Sequence, residues 1–249
     1  PGRRAIELPD LDVPEAQLPL DLLRADLALP ELSQLDVVRH YQRLADRSFG
    51  VDSGFYPLGS CTMKYNPRLA EQLARLPGFA DAHPLQPSEN VQPLLGIMYR
   101  LQEWLAEIGG FAGVSLQPAA GAQGELTALF MMRAYHEERG EGHRSQVLIP
   151  DSAHGTNPAS TTMAGLSVLQ IPSDERGNIN LDALRVACDE TVMGLMITNP
   201  NTLGLFEQHI ESVVQLVHDC GGLVYGDGAN MNALSGVVRP GELGIDLMH

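Results

Sequence analysis

Lysine is almost missing from this sequence: Lys64 is the single one in 249 residues. With Lys and Arg together at 16 against 31 acids, the formal charge is -15, which excludes nucleic acid and anionic membrane as expected partners. Cysteine is scarce too. Cys61, Cys188 and Cys220 are odd in number and widely spaced. They give neither a disulfide framework nor a metal-ligand pattern, and a reducing compartment, the cytoplasm, is expected. No apolar run is long enough to span a bilayer, and no signal-peptide pattern follows Pro1. What is present is a 44% apolar chain able to bury a sizeable core. One large domain plus an arm is expected, with an arm and helix over 1–50 and a large domain over 51–249.

The most informative stretch is Leu223-Val224-Tyr225-Gly226-Asp227-Gly228. Three apolar residues without polar alternation predict a strand covered on both faces, as in a parallel α/β sheet. Asp227 follows between two glycines, with no Lys or Arg nearby before Arg239. A buried acid there needs a cationic partner. The protonated ring nitrogen of a bound cofactor would supply one, and pyridoxal phosphate uses an Asp in this way. The same residues also fit an ordinary Asp-Gly turn.

Upstream, residues 1 to 32 are rich in Pro, Leu and Asp without a period, an extended arm whose leucines imply burial. Ser33 and Asp36 form a capping box that opens a helix over 34–47, with Leu35, Val38, Tyr41 and Leu44 on one face. Residues 55 to 67 gather two prolines, a glycine, hydroxyls, a thiol and Lys64. Lys64 suits a surface or phosphate-facing ammonium better than a reactive amine, which needs desolvation. Cys61 reads as a small buried residue. Leu94, Leu95, Met98, Leu101, Trp104, Leu105 and Ile108 predict a core-facing helix ended by Gly109-Gly110. Val114 to Leu116 is a strand candidate. A long helix follows to about Arg139, with Leu126, Leu129, Phe130 and Ala134 inward, and its small-residue start over 121–124 can hold a phosphate against free amides. It lacks the P-loop ending.

From there strands and helices alternate: strands at 147–149, 168–171 and 192–197, helices over 181–189 and 210–220, then the strand before Asp227. Three buried strands end in polar loops carrying His154, Asn199 with Asn201, and Asp227. Ligands of open α/β sheets bind beyond the carboxyl ends of strands, so these loops should converge. Sequence spacing gives His154 no second His or carboxylate as a metal partner, and no metal is expected.

The motifs FYPLGSCTMKYNP (55–67), PAAGAQGE (118–125), PDSAHGTNPAS (150–160), TNPNTLGLFE (198–207) and DGANMNALSGVVRPGELG (227–244) together resemble glycine decarboxylase, the P-protein of the glycine cleavage system, specifically subunit 2 of its split form. The resemblance runs from about residue 33 onward. It implies a fold-type I pyridoxal-phosphate enzyme whose large domain is a mainly parallel seven-stranded sheet between helices, here incomplete, with the carboxyl-terminal domain absent.

By the same resemblance His154 is the ring-stacking histidine, Asp227 the partner of the pyridine nitrogen, and Ala122, Gln123 and Gly124 the phosphate-binding helix start. Asn199 matches the asparagine beside the ring hydroxyl, although Asn201 interrupts the pattern. The imine-forming lysine is placed beyond His249. Tyr56, Ser60, Lys64 and Tyr65 are expected to crowd the substrate side. The implied chemistry is decarboxylation of glycine and transfer of its aminomethyl group to the lipoyl disulfide of the H-protein, in a heterotetramer with subunit 1. The rival readings are another fold-type I aminotransferase or decarboxylase, and a non-catalytic scaffolding half of the same assembly, which would have no need of Asp227 or His154.

Overall fold

The computed structural model describes residues 3–24, 26, 28–55 and 64–249. Tyr56, Ser60 and Cys61 lie outside the described residues. Contacts divide the chain into two compact units, Pro1–Pro57 and Leu58–His249. The first holds a 3₁₀ turn at Leu20–Leu22 and helix α1, Gln34–Ala45. Both halves of the capping box form: Asp36 N–H donates to Ser33 Oγ at 3.2 Å and Ser33 N–H to Asp36 Oδ2 at 3.3 Å. The apolar face is where the sequence placed it, but it is uncovered: Leu35, Val38, Tyr41 and Leu44 are exposed, as are the described arm leucines expected to be buried, except the half-buried Leu32.

The second unit runs α2 (Arg68–Ala74), α3 (Pro77–Ala80), α4 (Gln92–Gly109), α5 (Gly121–Glu138), β1 (Gln146–Pro150), α6 (Thr156–Met163), β2 (Ser167–Ile171), α7 (Leu181–Ala187), β3 (Val192–Thr198), α8 (Ile210–Asp219), β4 (Leu223–Asp227) and β5 (Leu247–Met248). The strands form one sheet in the order β2-β1-β3-β4-β5, parallel throughout. That is five strands among the described residues, where the resemblance implies seven for the whole domain.

β3 is central and buried at every position. Alternation sends neighbouring residues to opposite faces. Leu148, Leu195, Ile197 and Val224 meet Leu184 of α7 and Val213, Val214 and Val217 of α8. On the other face Val147, Ile149, Met193, Met196 and Tyr225 meet Ala128, Leu129 and Met132 of α5. Each of these Val, Leu, Ile and Met side chains contributes about 1.5–3 kcal/mol by leaving water.

Four expectations are corrected. The inward face of α5 is Gly124, Glu125, Ala128, Leu129, Met132 and His136, whereas Phe130 and Ala134 are exposed. Leu126 and Leu129 alone could not distinguish the two stripes, which lie about 100° apart on the helix. The apolar face of α4 is largely exposed, Trp104 at 60%, because no element packs on it among the described residues. Val114 to Leu116 form no strand; the Val114 carbonyl is taken by the Gln102 side chain at 2.5 Å rather than by a neighbouring strand. Finally, α6 continues where a loop was read, since Pro158 sits in its first turn, where its missing N–H costs nothing.

Candidate active site

Because the sheet is parallel, β1, β3 and β4 all deliver their following loops to one edge. The register sets Thr198 beside Asp227. Side chains then stitch the loops together. His154 N–H donates to Thr198 Oγ1 at 3.1 Å, Thr202 Oγ1 to Ser152 O at 3.0 Å, and Asn230 Nδ2 to Pro200 O at 2.9 Å.

Asp227 is 1% exposed, and both its oxygens are held: Asn157 Nδ2 donates to Oδ2 at 3.0 Å and Ala229 N–H to Oδ1 at 3.0 Å. Both donors are neutral. His249 Nε2 lies 3.8 Å from Oδ1, and no lysine or arginine pairs with this carboxylate among the described residues. Burying a carboxylate on neutral donors alone costs several kcal/mol, so the site has unspent affinity for a cation. Asn157 adds a second unspent group: its Oδ1 is buried with no partner among the described residues. Tyr225, two residues earlier on the same face of β4, is fully buried with its ring nearly parallel to that of His249 and its hydroxyl bonded to His249 Nδ1. Burial first, and then the charges of Asp227 and Glu125, push its phenol well above the ordinary tyrosine range, so it stays protonated.

The fold brings His154 to Asp227 and adds Glu125, which the sequence reading quoted in a motif but gave no role. Potential ligand atoms of Glu125, His154 and Asp227 lie within 4.8 Å of one another. Sequence spacing offered His154 no carboxylate; the fold supplies two. Their oxygens are already occupied, however. Glu125, 2% exposed, accepts from Thr156 Oγ1 and, at 2.9 Å, from Ser160 Oγ. Thr156 Oγ1 also lies 2.6 Å from His154 Nδ1. The cluster is thus a closed hydrogen-bond network rather than a set of bare ligands. Asn157, Thr156 and Ser160 were missed because α6 was missed; at helical spacing they present one face to the site. Glu125 had a signal: an acid on the small, inward stripe of α5.

The start of α5 lies at the same edge. Ala120 is extended (φ -153°) and gives no side-chain cap. Its carbonyl accepts from the amides of Gln123 and Gly124, each at 3.0 Å, while those of Gly121 and Ala122 have no partner among the described residues. Anion-binding capacity therefore lies at 121 and 122 more than over the whole stretch. Gln123 turns its side chain back to Ala119 N–H at 2.6 Å. Gly124 and Gly228 make room for His249, since a Cβ on them would meet His249 Cβ at 2.7 Å and its carbonyl oxygen at 1.9 Å.

The remaining sequence candidates are near or apart. Lys64 reaches the loop after β4, donating from Nζ to Ala229 O at 2.7 Å. Tyr65 is 57% exposed. Asn199 Oδ1 accepts from Glu207 N–H at 3.1 Å, and Asn201 Oδ1 from Leu203 and Leu205 N–H at 3.0 Å, so both amide oxygens organise their own loop.

No family model matches the chain. Among solved structures, glycine decarboxylase (P-protein) of the glycine cleavage system in inhibitor-bound form superposes with a TM-score of 0.68 over 93% of this chain and 51% of that one, at 24% identity. Sphingosine-1-phosphate lyase of Burkholderia pseudomallei gives 0.61 over 96% and 54%, at 18% identity. These likenesses, with the parallel sheet and its polar edge, define the large-domain fold of the fold-type I enzymes. Sequence comparison is more particular. Curated relatives named probable glycine dehydrogenase (decarboxylating) subunit 2 match the whole chain, at 54% identity in Alkaliphilus oremlandii and 56% in Exiguobacterium sibiricum. The chain matches these relatives from end to end, and it spans about half of their length, 52% and 51%. No helix among the described residues is long and apolar enough to cross a membrane.

Proposed function

We propose that this chain carries the cofactor-binding portion of a pyridoxal-phosphate-dependent glycine decarboxylase that passes the aminomethyl group of glycine to the lipoyl disulfide of an H-protein, working in the cytoplasm with a subunit 1 partner. The large domain over 51–249 holds the site, and residues 1–50 are the arm. The single observation that carries the reading is Asp227: a buried carboxylate on neutral donors at the carboxyl end of β4, beside His154 and the free amides of α5.

The residues fit the cofactor. The amides of Gly121 and Ala122 would take its phosphate, His154 its ring face and Asp227 its ring nitrogen, with Asn199 toward the ring hydroxyl. Pyridoxal phosphate, when bound, supplies the electron sink for the pair left behind as glycine loses carbon dioxide. Asp227 holds a proton on the ring nitrogen by charge proximity, and Asn157 and Ala229 N–H fix the direction from which it does so. Glycine offers no side chain to grip, so selection falls to walls that exclude larger amino acids; Tyr56, Ser60, Lys64 and Tyr65 are assigned that role. A scaffolding half would gain nothing from burying Asp227 and Glu125 together, which supports the catalytic reading.

The test is Asp227→Asn in the full-length protein with its partner subunit. Cofactor should remain bound by absorbance while release of labelled carbon dioxide from glycine falls by at least two orders of magnitude. Normal turnover in that variant would refute the assignment.

A further inference from the structure

Thr156 Oγ1 carries one hydrogen and stands between two groups, His154 Nδ1 at 2.6 Å and a Glu125 carboxylate oxygen. An ionised carboxylate only accepts, and the other Glu125 oxygen is already met by Ser160 Oγ at 2.9 Å. The threonine hydrogen therefore goes to Glu125. The contact to His154 must then take its hydrogen from Nδ1. Thr156 N–H also points at this nitrogen, but at 3.4 Å it is too long to compete with the contact at 2.6 Å.

We propose that Glu125, acting through Thr156, is a positioning residue that fixes His154 as the tautomer protonated at Nδ1 and leaves Nε2 as the ring's proton acceptor. When Nε2 takes a proton, the imidazolium keeps its Nδ1–H bond to Thr156, and the charge of Glu125 stabilises it from the far side of the hydroxyl. No other proton moves. That the reaction uses this nitrogen rests on the pyridoxal-phosphate reading above; the tautomer does not.

The groups facing His154 can be named element by element. α5 contributes Glu125 and β4 contributes Asp227, both buried. His249, past β5, turns its Nε2 to Asp227 at 3.8 Å. Asp151, in the loop of His154 itself, is spent on Ser173, accepting from its N–H at 3.1 Å. Lys64 is spent on the Ala229 carbonyl. Asp227 acts on His154 in every variant below, so the change isolates Glu125.

Diethyl pyrocarbonate acylates only unprotonated imidazole, so its rate at His154 against pH, read by peptide mapping of the full-length apoprotein, reports the proton affinity of the ring. Glu125→Gln should lower the midpoint at His154 by about one pH unit, the scale expected when one charge at this separation is removed from a partly buried site. Thr156→Ser keeps the hydroxyl and should leave the midpoint in place; Thr156→Val keeps the Glu125 charge but removes the hydrogen bond to Nδ1, and should lower the midpoint by less than Glu125→Gln does. An unchanged midpoint in Glu125→Gln, or a shifted one in Thr156→Ser, overturns the proposal. Acylation of His209 and His218 at the start and end of α8 monitors folding. If Glu125→Gln disturbs it, Thr156→Val decides: a lowered midpoint supports the relay and an unchanged one refutes it. Because no cofactor is present, failure here is distinct from failure of the cofactor reading, which Asp227→Asn tests.

Discussion

Gly194 lies early in β3, directly beside Leu223 in the register that sets Thr198 beside Asp227. A bulge leaves Met193 without a partner in β1, since Gln146 lies opposite Val192 and Val147 opposite Gly194. A Cβ on Gly194 would stand 2.2 Å from Met132 Cε and 2.3 Å from the Leu223 carbonyl oxygen. Met132 is the end of a flexible side chain and can swing away, but the Leu223 oxygen is backbone and can yield only if β4 moves. Gly194→Ala thus combines overpacking, about 1–3 kcal/mol, with weakening of a ladder hydrogen bond, about 1 kcal/mol. The total of about 2–4 kcal/mol corresponds to a fall in Tm of roughly 5–15 °C for a unit of this size. Urea unfolding of the full-length protein measures it. Gly96→Ala, in the exposed middle of α4 with no atom near the added methyl, is the control and should stabilise by about 0.5–1 kcal/mol. Since β4 carries Asp227 four residues beyond Leu223, Gly194→Ala should also weaken pyridoxal-phosphate binding. Wild-type stability in that variant would refute the packing argument.

Three further outcomes can be measured. Ser33→Ala removes the acceptor of one half of the capping box and should lower the stability of α1 by about 1 kcal/mol, read as a loss of helicity in the Pro1–Pro57 unit by hydrogen exchange. The hydrogen bond from His136, and then the charge of Arg144, hold the Glu141 carboxyl below its ordinary value of 4.5. Its contribution is therefore complete above about pH 4.5 and is lost as pH falls through the lowered folded value, so Glu141→Gln should flatten the acid limb of the stability profile. Gly124→Val places a side chain where His249 packs and should cost more than Gly96→Ala gains, with the difference visible in Tm.

The sequence alone determined the order of elements from α5 to β4 apart from α6, because buried parallel strands read as unbroken apolar runs and α5, α7 and α8 keep their period. It also determined that His154 and Asp227 share an edge, since in a parallel sheet every strand end points the same way. The capping box of α1 was legible because its residues are three apart. Four things were decided only in three dimensions. Which stripe of α5 faces inward depended on Gly194 admitting Met132, a contact between residues far apart in sequence. The pairing of Asn157 with Asp227 spans seventy positions. The hydroxyl between Glu125 and His154 exists because α6 continues from the β1 loop through a threonine-rich segment of weak helix propensity, stabilised by packing on α5. The apolar faces of α1 and α4 show the limit from the other side: periodicity states that a face is apolar, and only the packing of a second element decides whether it is buried.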